Sequence, residues 1–265
     1  MFLIDYHMHS KYSFDGKEEI FDLVKSAKEK RISEIAITDH VEFAADMEDD
    51  WAKLEEEASS EIDSIIQEGI VILKGMELGN ANLDLEAANE RARLFKGDFI
   101  LGSVHNVKPM EDVLYYDYTK MDCDDFYCRY LDEILKLVTF SDFDVLGHIT
   151  YPFKGIYAHT GRVPEFSVYS EKMKEIFSVL IRRNKGMEIN TSGLRASYND
   201  LLPDKKILQL YKECGGHILT LGSDSHVKED VGTGIAYAAE QIREIGFEQI
   251  ATYRNRKICF RNLRD

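Results

Sequence analysis

Phe2-Leu3-Ile4-Asp5-Tyr6-His7-Met8-His9-Ser10 begins as an apolar run and ends on two histidines one residue apart. In extended backbone, side chains two positions apart project to the same face. A strand over Phe2 to His7 therefore delivers both imidazoles to one place at its end. His-x-His alone is a weak signal, and its weight depends on what the rest of the chain does.

The same arrangement recurs along the sequence. Further strands are predicted at Glu34 to Thr38, Ile70 to Leu73, Asp98 to Leu101, Asp144 to Leu146, Gly186 to Ile189 and His217 to Leu221. Helical patterns lie between them. Trp51, Leu54, Ala58, Ile62 and Ile65 follow three- and four-residue steps, as do Tyr130, Ile134, Leu137 and Val138, and Met173, Ile176, Phe177 and Leu180. Each set marks one face of a helix. Asp122 and Asp204 are placed to cap helix starts. Strands alternating with helices imply a parallel sheet with helical crossovers. Seven such units in a chain of 265 residues favour a distorted (β/α)7 barrel over a doubly wound sheet, since the related eight-fold barrel takes about 250 residues. Lys257-Ile258-Cys259-Phe260 reads as an extra strand at the bottom or edge. With four prolines and no Ser/Gly-rich linker, residues 1–265 read as a single domain.

Each predicted strand ends in groups that bind metal or handle protons. After the first come His7, His9 and then Asp15; after the second, Thr38-Asp39-His40; after the third, Glu77. The fourth leads to His105, the fifth to His148, the sixth to Glu188-Ile189-Asn190, and the seventh to Asp224-Ser225-His226. In a barrel these ends share the rim where active sites sit. Six of the eight histidines fall there, with only His159 and His217 elsewhere. This registration, rather than any single motif, points to a multinuclear site for zinc, manganese or iron.

Composition bounds the partners. Asp plus Glu number 48 against 33 Lys plus Arg, a formal net charge of −15. Such a chain is a poor non-specific ligand for nucleic acid or an anionic membrane. The first residues lack the features of a signal peptide, and no apolar run approaches the roughly 18 residues of a membrane span. Cys123, Cys128, Cys214 and Cys259 form no C-x-x-C pair and read as reduced thiols. A cytoplasmic location is expected, with the oligomeric state left open.

These motifs, in this order, resemble the polymerase-and-histidinol-phosphatase (PHP) family. The resemblance covers nearly the whole chain, through Asp5-Tyr6-His7-Met8-His9-Ser10, Asp15-Gly16, Thr38-Asp39-His40, Gly102-Ser103-Val104-His105, Gly147-His148 and Gly222-Ser223-Asp224-Ser225-His226. It implies a trinuclear metal centre with one ion on His7, His9, Glu77 and Asp224. A second ion would share Glu77 and add His105 and His148, and a third would take Asp15, His40 and His226. Many family members carry His where this chain has Asp15, a difference that bears on metal preference.

Within the family the chain looks most like the stand-alone L-histidinol-phosphate phosphatases, through its length, Asp15-Gly16-Lys17 and Glu188-Ile189-Asn190-Thr191-Ser192-Gly193-Leu194-Arg195. The expected reaction is hydrolysis of a small phosphomonoester by a metal-bridging hydroxide. By resemblance Arg195 binds the phosphate. Arg162, in the loop after the fifth strand, is the candidate partner for it. Asp39 is the candidate proton donor or an orienter of a ligand histidine, Asn190 a donor to a ligand or the phosphate, and Glu42, with Phe43, a contact for the far end of the substrate. The alternatives are a phosphodiester or phosphotyrosyl-protein substrate within the family, a metal-dependent amidohydrolase, and a non-catalytic metal-binding regulator.

Overall fold

The structure is a computed structural model that describes residues 1–43, 50–66, 69–107 and 112–264. Its elements alternate as the periodicities require. In order they are β1 (Ile4–Asp5), α1 (Ile20–Glu29), β2 (Glu34–Ile37), β3 (His40–Glu42), α2 (Trp51–Ser64), β4 (Val71–Gly79), α3 (Leu85–Leu94), β5 (Phe99–Ser103), α4 (Cys123–Phe140), β6 (Val145–Leu146), α5 (Phe153–Thr160), α6 (Phe166–Arg182), β7 (Gly186–Asn190), α7 (Lys205–Glu213), β8 (Leu219–Gly222), α8 (Ile235–Ile245), β9 (Gln249–Arg254) and β10 (Lys257–Asn262).

Strands β1, β2, β4, β5, β6, β7 and β8 pair in that order, every pairing parallel. The ring closes between its first and last members: Tyr6 N–H donates to Leu221 O, Asp224 N–H to His7 O, and His9 N–H to Ser225 O. The result is a nearly closed seven-strand barrel ringed by helices. The predicted stripes face inward, with Ala58 and Ile62 of α2, Tyr130, Ile134, Leu137 and Val138 of α4, and Met173, Ile176, Phe177 and Leu180 of α6 all buried. Asp122 accepts from the backbone N–H groups of Asp124 and Asp125, and Asp204 from that of Ile207, as helix N-caps do. Among the described residues no helix is long and apolar enough to cross a membrane.

Two features depart from the sequence reading. The second strand does not simply give way to a loop after Thr38. A short strand, β3, follows at once and pairs with the far half of β4 in the register His40↔Glu77 and Glu42↔Gly79. Strand β4 is nine residues long, which leaves pairing edge to spare beyond β2. The segment after His148 is also not an open loop, because Phe153–Thr160 winds into α5 and stops at Gly161 in the left-handed conformation (φ 68°).

The expected extra strand is β10, which pairs antiparallel with β9. This hairpin lies across the barrel floor, where the strands begin. Arg254 makes paired hydrogen bonds to Glu34 at the start of β2, and Arg256 binds Asp142 and Asp144 ahead of β6. Above it, Phe99 packs between Tyr6 and Tyr253 at tilted ring angles, with centroids 5.1 Å from each. The floor is therefore packed, while the strand ends that carry the histidines lie at the opposite rim.

Candidate metal centre

Parallel register brings the rim residues together. His40 lies beside Glu77 across β3 and β4, and Met8 bridges to Ser225 between His7–His9 and Asp224–His226. Glu77, fully buried at the end of β4, is the middle of the cluster. Its Oε2 lies 3.1 Å from His7 Nε2 and 3.5 Å from His9 Nε2. Asp224 Oδ1 is 3.7 Å and 3.5 Å from the same two nitrogens. On the other side, Glu77 Oε1 is 3.3 Å from His105 Nε2 and 3.2 Å from His148 Nε2. A third group stands nearer solvent, where Asp15 Oδ2 is 2.9 Å from His226 Nε2 and 3.5 Å from His40 Nε2.

These separations fit the edges of coordination shells. A tetrahedral site with ligand bonds of about 2.1 Å has edges of about 3.4 Å. The histidine tautomers agree. His7 Nδ1–H donates to Glu188 Oε1 at 2.7 Å, His105 Nδ1–H to Glu42 Oε1 at 2.7 Å, and His226 Nδ1–H to the Asp224 carbonyl at 3.2 Å. Each of these bonds turns Nε2 inward toward a carboxylate, where an ion would take the place of a proton. His9 Nε2 is buried with no hydrogen-bond partner among the described residues, midway between two carboxylates. An unpaired buried nitrogen in that position fits a divalent cation.

The electrostatics support the same assignment. Burial pushes His9 down, helped by His40 and His226, to about 3, so its imidazole is neutral. Burial would raise the Glu77 and Asp224 carboxyls, but the surrounding histidines, and Lys154 beside Asp224, hold both well below the usual range. Asp224 takes a left-handed backbone (φ 55°), a strained conformation of the kind that collects at functional sites. Gly222 just before it has to be glycine, since a Cβ there would stand 2.2 Å from Glu188 Oε1 and 2.5 Å from the His7 Cβ.

All nine expected ligands (His7, His9, Asp15, His40, Glu77, His105, His148, Asp224 and His226) lie in this cluster. The other site residues fall in different places. Arg195 is at the rim, where Nη2 donates to the carbonyls of Ser223 and Asp224 at 2.8 and 3.1 Å and Nε pairs with Asp230, while Nη1 has no partner among the described residues. Asn190 Nδ2 donates to Glu188 Oε2 at 3.2 Å and lies 3.4 Å from Asp224 Oδ2, behind the ligands. Asp39 has both carboxylate oxygens taken by Ser10, from its N–H at 2.6 Å and its hydroxyl at 2.7 Å, while burial raises it to about 6. Glu42 is buried against histidines and does not face open solvent. Arg162 is exposed beyond the end of α5, with the Cys123 thiol as its electrostatic neighbour. Helix α5 has eight residues and so carries the chain about 12 Å along its axis, from Phe153 beside the rim to Arg162 beyond its far end.

The cation that does face the cluster from that segment is Lys154, in the first turn of α5. Its Nζ donates to Ser192 Oγ at 3.2 Å and lies 4.7 Å above the Tyr151 ring, which itself packs against His148 with ring centroids 4.6 Å apart. Burial pushes its ammonium down, while Asp224, Asp112 and Glu77 act to keep it charged and Arg195 is close enough to oppose them. Lys154 and Glu188 were not singled out for these roles by the sequence. The available signals were position alone, six residues after His148 and two before Asn190.

Comparison with known proteins follows the same lines. A family model described as the PHP domain matches residues 5–192. The chain is 27% identical to a Thermotoga maritima protein named "Probable histidinol-phosphatase", over 94% of this chain and 95% of that one. It is 29% identical to the histidinol-phosphatase of Lactococcus lactis, over 96% of each chain. Among solved structures, the Lactococcus lactis histidinol phosphate phosphatase complexed with Zn, L-histidinol and phosphate superposes with a TM-score of 0.81 at 26% identity, covering 97% of this chain and 98% of that chain.

Proposed function

Since the chain belongs to the PHP domain family, we propose that it is a metal-dependent phosphatase that hydrolyses L-histidinol phosphate to L-histidinol and phosphate. The observation that carries this reading is the convergence of histidines from four strand ends on the two oxygens of one buried carboxylate, Glu77. Relatives of similar length bear the histidinol-phosphatase name, and the solved one holds zinc with product and phosphate.

We assign three divalent ions: one to His7, His9, Glu77 and Asp224, one to Glu77, His105 and His148, and one to Asp15, His40 and His226. Zinc, manganese and iron all suit this donor set. Divalent ions held there would neutralise phosphoryl charge and lower the pKa of coordinated water. Together they would bring the formal charge of −15 to about −9 and make the rim locally positive in an acidic protein.

The chain's own groups bind and orient the substrate. Arg195 is fixed by the Ser223 and Asp224 carbonyls, which leaves Nη1 for a phosphoryl oxygen. Lys154 supplies a second cation from the first turn of α5, and Ser192 a hydroxyl beside it. Arg162 stands outside this assignment. Asp39, through Ser10, steadies the loop that carries Asp15. The exposed ring of Phe14, stacked on His40 at 4.9 Å, offers the imidazole end of the substrate an apolar face.

The test is a comparison of kcat/KM for zinc- or manganese-loaded protein on histidinol phosphate, bis-p-nitrophenyl phosphate, a phosphotyrosyl peptide and a cyclic amide. Histidinol phosphate should lead, with close to three ions per chain. Preference for the diester would refute the monoester reading, and a reproducible content of one ion would refute the three-ion assignment.

A further inference from the structure

Glu42 is a buried carboxylate that none of the assigned roles uses. Its Oε1 accepts from His105 Nδ1 at 2.7 Å and lies 3.0 Å from His40 Nδ1. His105 belongs to the second proposed ion and His40 to the third. Its Oε2 accepts from Asn80 Nδ2 at 2.7 Å. Asn80 cannot turn its amide over, because its Oδ1 already accepts from the backbone N–H groups of His105 and Asn106, both at 2.9 Å. The fold makes room for this carboxylate: a Cβ on Gly79 would stand 2.0 Å from Glu42 Oε1.

A ligand histidine needs an acceptor on the nitrogen that faces away from the metal. That acceptor fixes the ring, the tautomer and the basicity. Here one oxygen accepts from the His105 ring and stands 3.0 Å from His40 Nδ1, which has no hydrogen-bond partner among the described residues, and the two rings face two different ions. We propose that Glu42 is a positioning residue that couples the second and third metal sites, so that both hold or lose their ions together. Glu188 does the corresponding work elsewhere, bonding His7 through Oε1 and the His148 backbone N–H through Oε2 at 2.8 Å. The first ion's ligands do not depend on Glu42. This inference rests on the three-ion reading above.

The experiment is chelator titration of zinc-loaded wild-type and Glu42→Gln protein, with anomalous diffraction giving the occupancy of each site. In the variant an amide N–H must face either the Asn80 donor or a histidine, so the carboxylate charge is lost and one of the two contacts is broken whichever way the amide turns. The second and third sites should empty together at about 10- to 100-fold lower chelator than in wild type, while the His7–His9 site keeps its ion. Unchanged retention at all three sites would overturn the proposal. So would loss from only one of the two, or density for an ion on Glu42 Oε1 itself. A lower melting temperature of the metal-free variant with the order of ion loss unchanged would reduce Glu42 to a structural role. If Glu42→Gln does not fold, Asn80→Asp sets a carboxylate against Glu42 Oε2 and carries the same expectation. Wild-type protein without ions at the second and third sites would instead refute the three-ion reading, whatever the variant does.

Discussion

Lys154→Met tests the substrate site most directly. Methionine keeps an unbranched stem over the Tyr151 ring, so packing against His148 survives while the ammonium and its bond to Ser192 go. A hydrogen bond to a charged partner is worth about 1.5–3 kcal/mol. At about 1.4 kcal/mol per tenfold, its loss should lower kcat/KM by about 10- to 150-fold. Lys154 is assigned to the phosphoryl group that all monoesters share, so the factor should be the same for histidinol phosphate and for a small phosphomonoester such as glycerol phosphate. Metal content should not change. The paired control is Arg162→Ala, which removes an exposed cation beyond the end of α5 and should leave kcat/KM within about twofold, as expected of a surface charge. The assay is steady-state release of inorganic phosphate over a range of substrate concentrations. A Lys154→Met enzyme within twofold of wild type would refute the reasoning, as would a loss confined to one substrate or an equal loss in Arg162→Ala.

Other perturbations reach other parts of the molecule. Arg256→Ala removes the guanidinium that binds Asp142 and Asp144 and leaves the buried Asp144 short of its partner, at a cost of about 2–3 kcal/mol. Calorimetry should show a melting temperature lower by about 5–10 °C with kcat at 25 °C unchanged, since the change is at the floor; a lost kcat with an unchanged melting temperature would contradict this. Metal affinity should tighten as pH rises from 6 to 8. Burial pushes His40 down, but Glu77, Asp15 and Glu42 outweigh it and raise the imidazole to about 10, so in the ion-free protein it keeps a proton that an ion must displace at every pH below that value. Competition against a chelator of known pH dependence should show about a tenfold gain per unit for each proton released, and a flat or opposite trend would refute the linkage.

The residues that meet in the cluster were legible because their chemistry and their register are both local. His7 and His9 share a face by strand period alone, and Asp224 and His226 repeat the spacing. Glu77 was legible by its place at a strand end. What surrounds the ligands depends on pairings between distant segments. Glu42 looked like a loop carboxylate because three residues are too few to announce β3; only the spare edge of β4 makes that strand and turns the side chain inward. Arg162 and Lys154 were indistinguishable as cations in an assumed loop. The eight-residue α5 separates them, pointing one into the cluster and carrying the other away. The barrel itself was legible from alternation, since a parallel sheet admits few other connections.

Closure of the barrel has a consequence for how the molecule comes into being. The outer edge of β1 finds its partner only in Leu221, Ser225 and the His7–Asp224 pairing, more than two hundred residues later in synthesis, and the floor is sealed later still by Arg254 and Arg256. On the ribosome the first strand therefore waits with half its hydrogen bonds unmade, and His7 and His9 wait with it. The metal centre is among the last things the nascent chain can build, so cations in the cell meet a finished vessel or a set of scattered histidines, with little in between.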